Sequence, residues 1–269
     1  MLAFLGLIFD KKVFNISLFA NAFLIFILLC IISSSNYIMN DLIDKKKDAL
    51  NQIKAQSLFA RINPLVSISI AIILVATSIA LAAWLVPGVV FFLVILSGCG
   101  QFYNVFAKKV PILDIIVLLF MYLARIYAGY ISLEVIPYSL IILPITMLAL
   151  FLIFIKKRST LLILGEAKAI EFRKNYRFYT MKRNDTMIIL SGIGIAIVYL
   201  IYVAINDKFQ KIILYLTIPA VFILIITVIK ITRIKPEYGL FLFKILKKKE
   251  VLVMSIYIVA VYLVDIIFL

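Results

Sequence analysis

The segment Asn36-Tyr37-Ile38-Met39-Asn40-Asp41-Leu42-Ile43-Asp44-Lys45-Lys46-Lys47-Asp48 holds three of the chain's 13 acidic residues. Wound as an α-helix, it brings Asn36, Asn40, Asp41, Asp44 and Asp48 within an arc of roughly 140° on one face. Carboxylates crowded in this way repel one another, and a divalent cation removes that cost. Asp and Asn supply only hard oxygen ligands, which suit Mg²⁺, an ion that commonly bridges protein carboxylates to substrate phosphates. Asp41, Asp44 and Asp48 are therefore the candidate metal ligands, with Asn36 and Asn40 supporting a bound substrate. The competing reading is an ordinary helix end whose aspartates pair with Lys45, Lys46 and Lys47. That reading leaves unexplained why the polar stripe runs back into an apolar stretch, where polar residues are costly.

Two further polar groups stand out. Tyr103-Asn104-Val105-Phe106-Ala107-Lys108-Lys109-Val110-Pro111-Ile112-Leu113-Asp114 places Tyr103, Lys108 and Asp114 at the junction of two apolar runs. Arg125 follows inside the second run, on nearly the same helical face as Asp114 and about 16 Å further along. An Arg in such a position faces a cavity or a partner; the alternative is a structural bond to backbone carbonyls. The third group runs from Lys156-Lys157-Arg158 to Arg183 and includes Arg173-Lys174-Asn175-Tyr176-Arg177-Phe178-Tyr179. Bases and aromatics interleaved at helical spacing suit either substrate contact or an amphipathic helix lying on headgroups.

The elements that must position these groups are membrane helices. The chain has 269 residues, is 65% hydrophobic and 15% charged, and has a mean hydropathy of +1.18. No soluble globule of that length hides so much apolar surface. Stretches able to span about 30 Å of hydrocarbon lie near residues 13–38, 62–86, 88–107, 112–133, 136–157, 187–205, 211–231 and 250–269, with a shorter run at 1–9. The first run carries no basic n-region or cleavage site and reads as a partial helix rather than a signal peptide. Connections near 39–61, 108–111, 156–186 and 230–249 hold 23 of the chain's 28 Lys and Arg residues. This asymmetry assigns those loops to the cytoplasm. The expected architecture is an all-α polytopic bundle of about nine transmembrane helices, the first one short, forming a single domain over residues 1–269 around a central cavity open to the cytosol. The expected location is the cell (inner) membrane, with the site facing the cytoplasm.

Composition also excludes chemistry. With 0 His, a His-ligated metal, a Ser–His–Asp triad and an imidazole base are all ruled out. Cys30 and Cys99 fall in apolar runs and supply neither a disulfide framework nor a zinc site. The net charge of +15 follows from topology and attraction to anionic lipid heads, with no nucleic acid implied.

A carboxylate–Mg²⁺ cluster with Lys and Arg around it suits a diphosphate, and hydrophobic walls suit a lipid. Read as N-x-x-x-N-D-x-x-D-x-x-x-D, the Asn36–Asp48 segment resembles the aspartate-rich first motif of the UbiA superfamily of intramembrane prenyltransferases. The likeness covers roughly residues 13–269 and is nearest to the superfamily's decaprenyl-phosphate phosphoribosyltransferase branch. Tyr103, Lys108 and Asp114 resemble that branch's second polar region. Leu123-Ala124-Arg125-Ile126-Tyr127-Ala128-Gly129 resembles its Leu-x-Arg-x-x-Ala-Gly segment, and Lys157-Arg158 with Arg173 and Tyr176 resembles its third cytoplasmic loop. After the first motif only Lys54 matches the usual His-Pro-x-Lys-x-x-Arg-Pro; Ser57 stands where the Arg is expected, and Leu161 where a Glu is usual after Lys-Arg.

The resemblance implies an Mg²⁺-dependent transferase moving a phosphoribosyl group from phosphoribosyl diphosphate to a polyprenyl phosphate. Asp41, Asp44, Lys108, Lys157 and Arg158 would be its catalytic groups. Asn36, Asn40, Lys54, Tyr103, Asp114, Arg125, Arg173 and Tyr176 would bind substrate. Three alternatives stay open: a prenyltransferase taking a prenyl diphosphate donor, a lipid transporter, and a homologue without chemistry. Under the metal-site reading, Asp41→Asn or Asp44→Asn is expected to abolish turnover and leave the protein folded.

Overall fold

A computed structural model describes residues 2–48, 62–133, 139–206 and 209–268. It is helical throughout, with no strand among the described residues. Among the described residues, seven helices are long and apolar enough to cross a membrane: Ile16–Lys45, Pro64–Leu85, Pro87–Lys109, Leu113–Tyr130, Met181–Ile205, Lys211–Ile234 and Lys249–Ile267. The chain is thus an all-α, multi-pass membrane protein. In the span Lys249–Ile267 only 11% of the apolar window is buried, so the described part of the chain covers little of that surface.

The chain divides into two compact units. The first comprises Met1–Pro137 and Ile170–Asn175, and the second Tyr138–Ala169 and Tyr176–Leu269.

In the first unit, a short helix α1 (Leu5–Phe9) precedes α2 (Ile16–Asp48), α3 (Pro64–Leu85), α4 (Val90–Val105) and α5 (Leu113–Tyr130). α1 is the partial helix expected near the start, and at 5 residues it is too short to span. α2 is continuous through the aspartate-rich segment, 33 residues in all, so the acidic stripe does lie on a helix. α3 begins with Asn63, whose side chain accepts from the Leu65 amide at 2.9 Å, and with Pro64. The proline lacks a donor the first turn could not use, and the Asn caps one that it could. Small polar residues draw α2 and α3 together: Ser35 Oγ donates to Ala71 O at 2.9 Å and Ser78 Oγ to Leu28 O at 3.2 Å. Hydroxyl bonds and small residues are the usual means of packing helices in lipid, where apolar burial gives little drive. Beneath the polar stripe, Ile25, Leu28 and Ile32 of α2 pack with Leu93 and Leu96 of α4 in a fully buried apolar core.

The second unit holds α6 (Ser139–Leu164), α8 (Met181–Ile205), α9 (Lys211–Ile234), two short helices α10 (Glu237–Leu240) and α11 (Leu242–Leu246), and α12 (Lys249–Phe268). The intervening α7 (Glu166–Phe172) ends in the Ile170–Asn175 stretch of the first unit. α6 was expected to leave the membrane at Lys156, but the helix continues through Lys156-Lys157-Arg158 to Leu164. Its basic residues therefore project from a helix and not from a loop. Prolines Pro144 and Pro219 sit inside α6 and α9, as membrane helices tolerate. The buried carboxylate of Asp265 on α12 accepts from the Gln210 amide at 2.9 Å, at the start of α9.

Candidate functional site

Residues Asn36, Asn40 and Asp44 recur every four positions along α2 and so form one ridge. Against it α4 sets Gln101 and Asn104. Gln101 Nε2 donates to Asn36 Oδ1 at 2.9 Å, Asn36 Nδ2 to Leu96 O at 3.0 Å, and Asn104 Nδ2 to Asn36 O at 3.0 Å. Gly100 makes this approach possible, because a Cβ there would collide with the Asn36 amide.

The ridge ends in an ion cluster. Lys108, on a 3-10 turn at Ala107–Lys109, places Nζ 2.7 Å from Asp44 Oδ1. The same ammonium donates to Asn40 Oδ1 at 3.2 Å. Arg173 Nη2 lies 3.1 Å from Asp44 Oδ2, so each oxygen of this carboxylate holds its own cation. The side chains of Asp44 and Lys108 are each only 2% exposed, a burial that charges accept only when paired. Tyr103 of α4 lies within electrostatic reach of Arg173, Asp114 and Asp44.

Asp114 opens α5 next to this cluster. The turn before it is forced: Ile112, a β-branched residue, holds φ at 69°, a conformation that costs of order 1–3 kcal/mol. Asn175 Nδ2 donates to Asp114 Oδ2 at 2.8 Å, and both residues are 1% exposed. The Asn175 carbonyl oxygen, also buried, has no hydrogen-bond partner among the described residues.

The other expected site residues lie as follows. Asp41 is half-buried on α2. The side chain of Asp48, and Lys54 entirely, lie outside the described residues. Arg125 is not part of the Asp44 cluster: its guanidinium donates to Met121 O at 2.8 Å and to Ser33 Oγ at 3.2 Å. Ser33 precedes Asp44 by eleven residues on α2, about 16 Å along the helix. In the second unit, Lys157 Nζ sits 3.8 Å from the centre of the Tyr179 ring and 5.7 Å from that of Tyr176, a cation held over aromatic faces. Arg158 Nε meets Asp185 Oδ1 at 2.5 Å.

Sequence reasoning missed Gln101, Asn104, Asn175 and Asp185. Neutral amides in helices give no charge signal, although Gln101 and Asn104 share a three-residue spacing that a face-by-face reading could have noticed. Among the described residues no group of three His, Cys, Asp or Glu converges as a ready-made metal centre. In donor type, Asp41, Asp44 and Asn40 nevertheless fit a hard divalent cation. Asp44 would have to release its two cations to ligate one.

No protein-family model matches the chain, and no curated protein sequence matches it.

Proposed function

We propose that the first unit binds the diphosphate of a phosphoribosyl donor and that the protein transfers the phosphoribosyl group to a polyprenyl phosphate, as a UbiA-like transferase at the cytoplasmic face of the cell membrane. One observation carries the reading. Asp44 holds a buried lysine and an arginine, one on each oxygen, so displacing this single carboxylate would free two cations for phosphate.

Bound at Asp41, Asp44 and Asp48, a magnesium ion would neutralise the donor's diphosphate and make it a better leaving group. Lys108 and Arg173 would turn from Asp44 to the phosphate oxygens, Arg173 as a planar fork and Lys108 as a point charge. Asn36, Asn40 and Tyr103 would orient the donor. Asn175, whose carbonyl oxygen is buried and unsatisfied, would accept a sugar hydroxyl, with Asp114 fixing the amide. An acceptor phosphate oxygen then forms a bond to the anomeric carbon while the carbon–oxygen bond to diphosphate breaks, the diphosphate leaving with the electron pair. The transition state is oxocarbenium-like. The acceptor is already an anion and needs no base, which agrees with a chain without histidine. Lys157 and Arg158, in the second unit, are proposed as contacts for an anionic headgroup.

Transfer of a prenyl group from a prenyl diphosphate would call for a second acidic pair. Asp114 is matched instead by a neutral amide. A second reading draws on the closure of the cluster itself: an Asp44 already satisfied on both oxygens also suits a structural pin in a protein without this chemistry.

Donor choice separates these. Purified protein with Mg²⁺ receives ribose-labelled phosphoribosyl diphosphate plus a polyprenyl phosphate and, separately, a labelled prenyl diphosphate with a panel of acceptors. Ribose label entering the lipid phase, and lost with EDTA, supports the proposal. Transfer only from the prenyl diphosphate refutes it in favour of prenyl transfer, and silence in both refutes it in favour of the structural reading.

A further inference from the structure

Basic residues of the second unit differ in what they touch. Arg158 is paired with Asp185, and Lys157 lies over the Tyr179 ring. The bases between α9 and α12 have no comparable use. Arg233, Lys235, Lys244, Lys247 and Lys249 are exposed, and none of them has an ion pair among the described residues. Lys244 Nζ and Lys248 Nζ each lie 4.8 Å from the centre of a ring, that of Phe241 and that of Tyr238 respectively. A ring face steadies an ammonium and brings no full countercharge.

The segment that carries these bases is held firmly by the bundle. Gly239 of α10 is buried, and a Cβ there would collide with Ser159 on α6. Ile245 of α11 and Val251 of α12 are buried as well. With those residues turned inward, Phe243 and Leu246 are left 56% and 54% exposed, beside Lys244 and Lys247. Both α9 and α12 are long and apolar enough to cross a membrane, so the short link between them lies at one membrane face, at the level of the headgroups. Apolar side chains and lysines exposed together suit that level: the apolar groups enter the acyl boundary, and lysine stems reach back to the phosphates. A soluble polyanion would meet the bases but leave Phe243 and Leu246 in water. The two kinds of exposure together therefore favour lipid.

We propose that α10, α11 and the first turn of α12 form a docking surface for anionic phospholipids of the surrounding bilayer. Lys244, Lys247, Lys248 and Lys249 take the lipid phosphates, while Phe243 and Leu246 sink between the chains. Clusters of four or more bases beside a membrane helix hold anionic lipid in this way, each base adding to the attraction. The surface is specific to this link and is not a consequence of the chain's overall positive charge. It lies apart from the Asp44 cluster and does not depend on the transferase reading.

The test uses the full chain in a neutral detergent, with phosphatidylglycerol and phosphatidylcholine of identical acyl chains as probes and native mass spectrometry as the readout. Wild type is expected to retain phosphatidylglycerol in preference. The triple variant Lys244→Gln, Lys247→Gln, Lys249→Gln should lose that preference by about tenfold or more. The control variant Lys168→Gln, Lys174→Gln, Lys182→Gln removes as many exposed bases elsewhere and should keep it. A second measurement leaves every lysine in place. In vesicles of the two lipids mixed, the emission that Phe243→Trp adds to that of Trp84 should be quenched more by chain-brominated phosphatidylglycerol than by chain-brominated phosphatidylcholine. Equal retention of the two lipids by wild type, an equal loss in the control variant, or equal quenching would each overturn the proposal. So would tight binding of polyglutamate or a single-stranded RNA without any preference between the lipids.

Discussion

The ammonium of Lys108 lies 2.7 Å from one carboxylate oxygen of Asp44, with both side chains 2% exposed. A charge pair so deeply buried contributes little net stability, yet breaking it from one side strands a charge. Lys108→Met is therefore expected to lower stability by about 3–5 kcal/mol, somewhat offset because Arg173 still pairs with Asp44. Adding Asp44→Asn to Lys108→Met should recover part of that loss. Thermal unfolding of the two single variants and the double variant in detergent measures the coupling. A strictly additive double variant would contradict a direct pair.

Asp41 and Asp44 should behave differently. Asp41→Asn, at a half-buried position, is expected to keep its melting temperature and to lose turnover by a hundredfold or more if Asp41 ligates the metal. Asp44→Asn strands two cations and should lose both activity and stability. Sequence alone expects both variants to stay folded, and the ion cluster is the reason to separate them. Wild-type rates in folded Asp41→Asn would remove it from the metal site.

Gly100→Ala introduces a Cβ where the Asn36 amide now lies. Asn36 must then give up its bond to Leu96 O or to Gln101. A cost of about 1–3 kcal/mol follows from overpacking and a lost buried hydrogen bond. Gly98, with open space around its Cβ position, supplies the comparison: Gly98→Ala is expected to be neutral or slightly stabilising in the same melt.

Arg158 and Asp185 form a half-exposed pair. Asp185 is 36% exposed at its side chain and Arg158 13%, so Asp185→Ala leaves a largely buried guanidinium without its partner. It should cost more than the ~1 kcal/mol of an exposed pair and less than the roughly 3–5 kcal/mol of a fully buried one. Repeating the melts at high salt, which screens exposed charges, should shrink the difference between the variant and the wild type.

The membrane helices were legible because hydrocarbon demands runs of apolar residues of fixed length. The acidic stripe was legible because helical periodicity alone puts Asn36, Asn40 and Asp44 on one ridge. The helix count was harder to read. α1 is too short to span, and α6 carries its basic triplet within the helix, where a sequence reading places a membrane boundary. Partners distant along the chain were not legible at all. Nothing local in the sequence joins Asp114 to Asn175, Arg158 to Asp185, or Asp265 to the Gln210 amide, since each depends on how helices are laid side by side. Arg125 was recognised as unusual, but its distance from the Asp44 cluster follows from its bond to Ser33.

The central claim is that the buried Asp44 cluster handles a diphosphate during sugar transfer. Its most direct test is to follow two labels in phosphoribosyl diphosphate, one in the ribose and one in the β-phosphate, with purified protein, Mg²⁺ and a polyprenyl phosphate. The account predicts that the ribose label enters the lipid phase while the β-phosphate label leaves in water as diphosphate, at equal rates, and that Asp41→Asn stops both. Neither label moving, from protein that melts cooperatively, would contradict it and leave Asp44 as a structural pin.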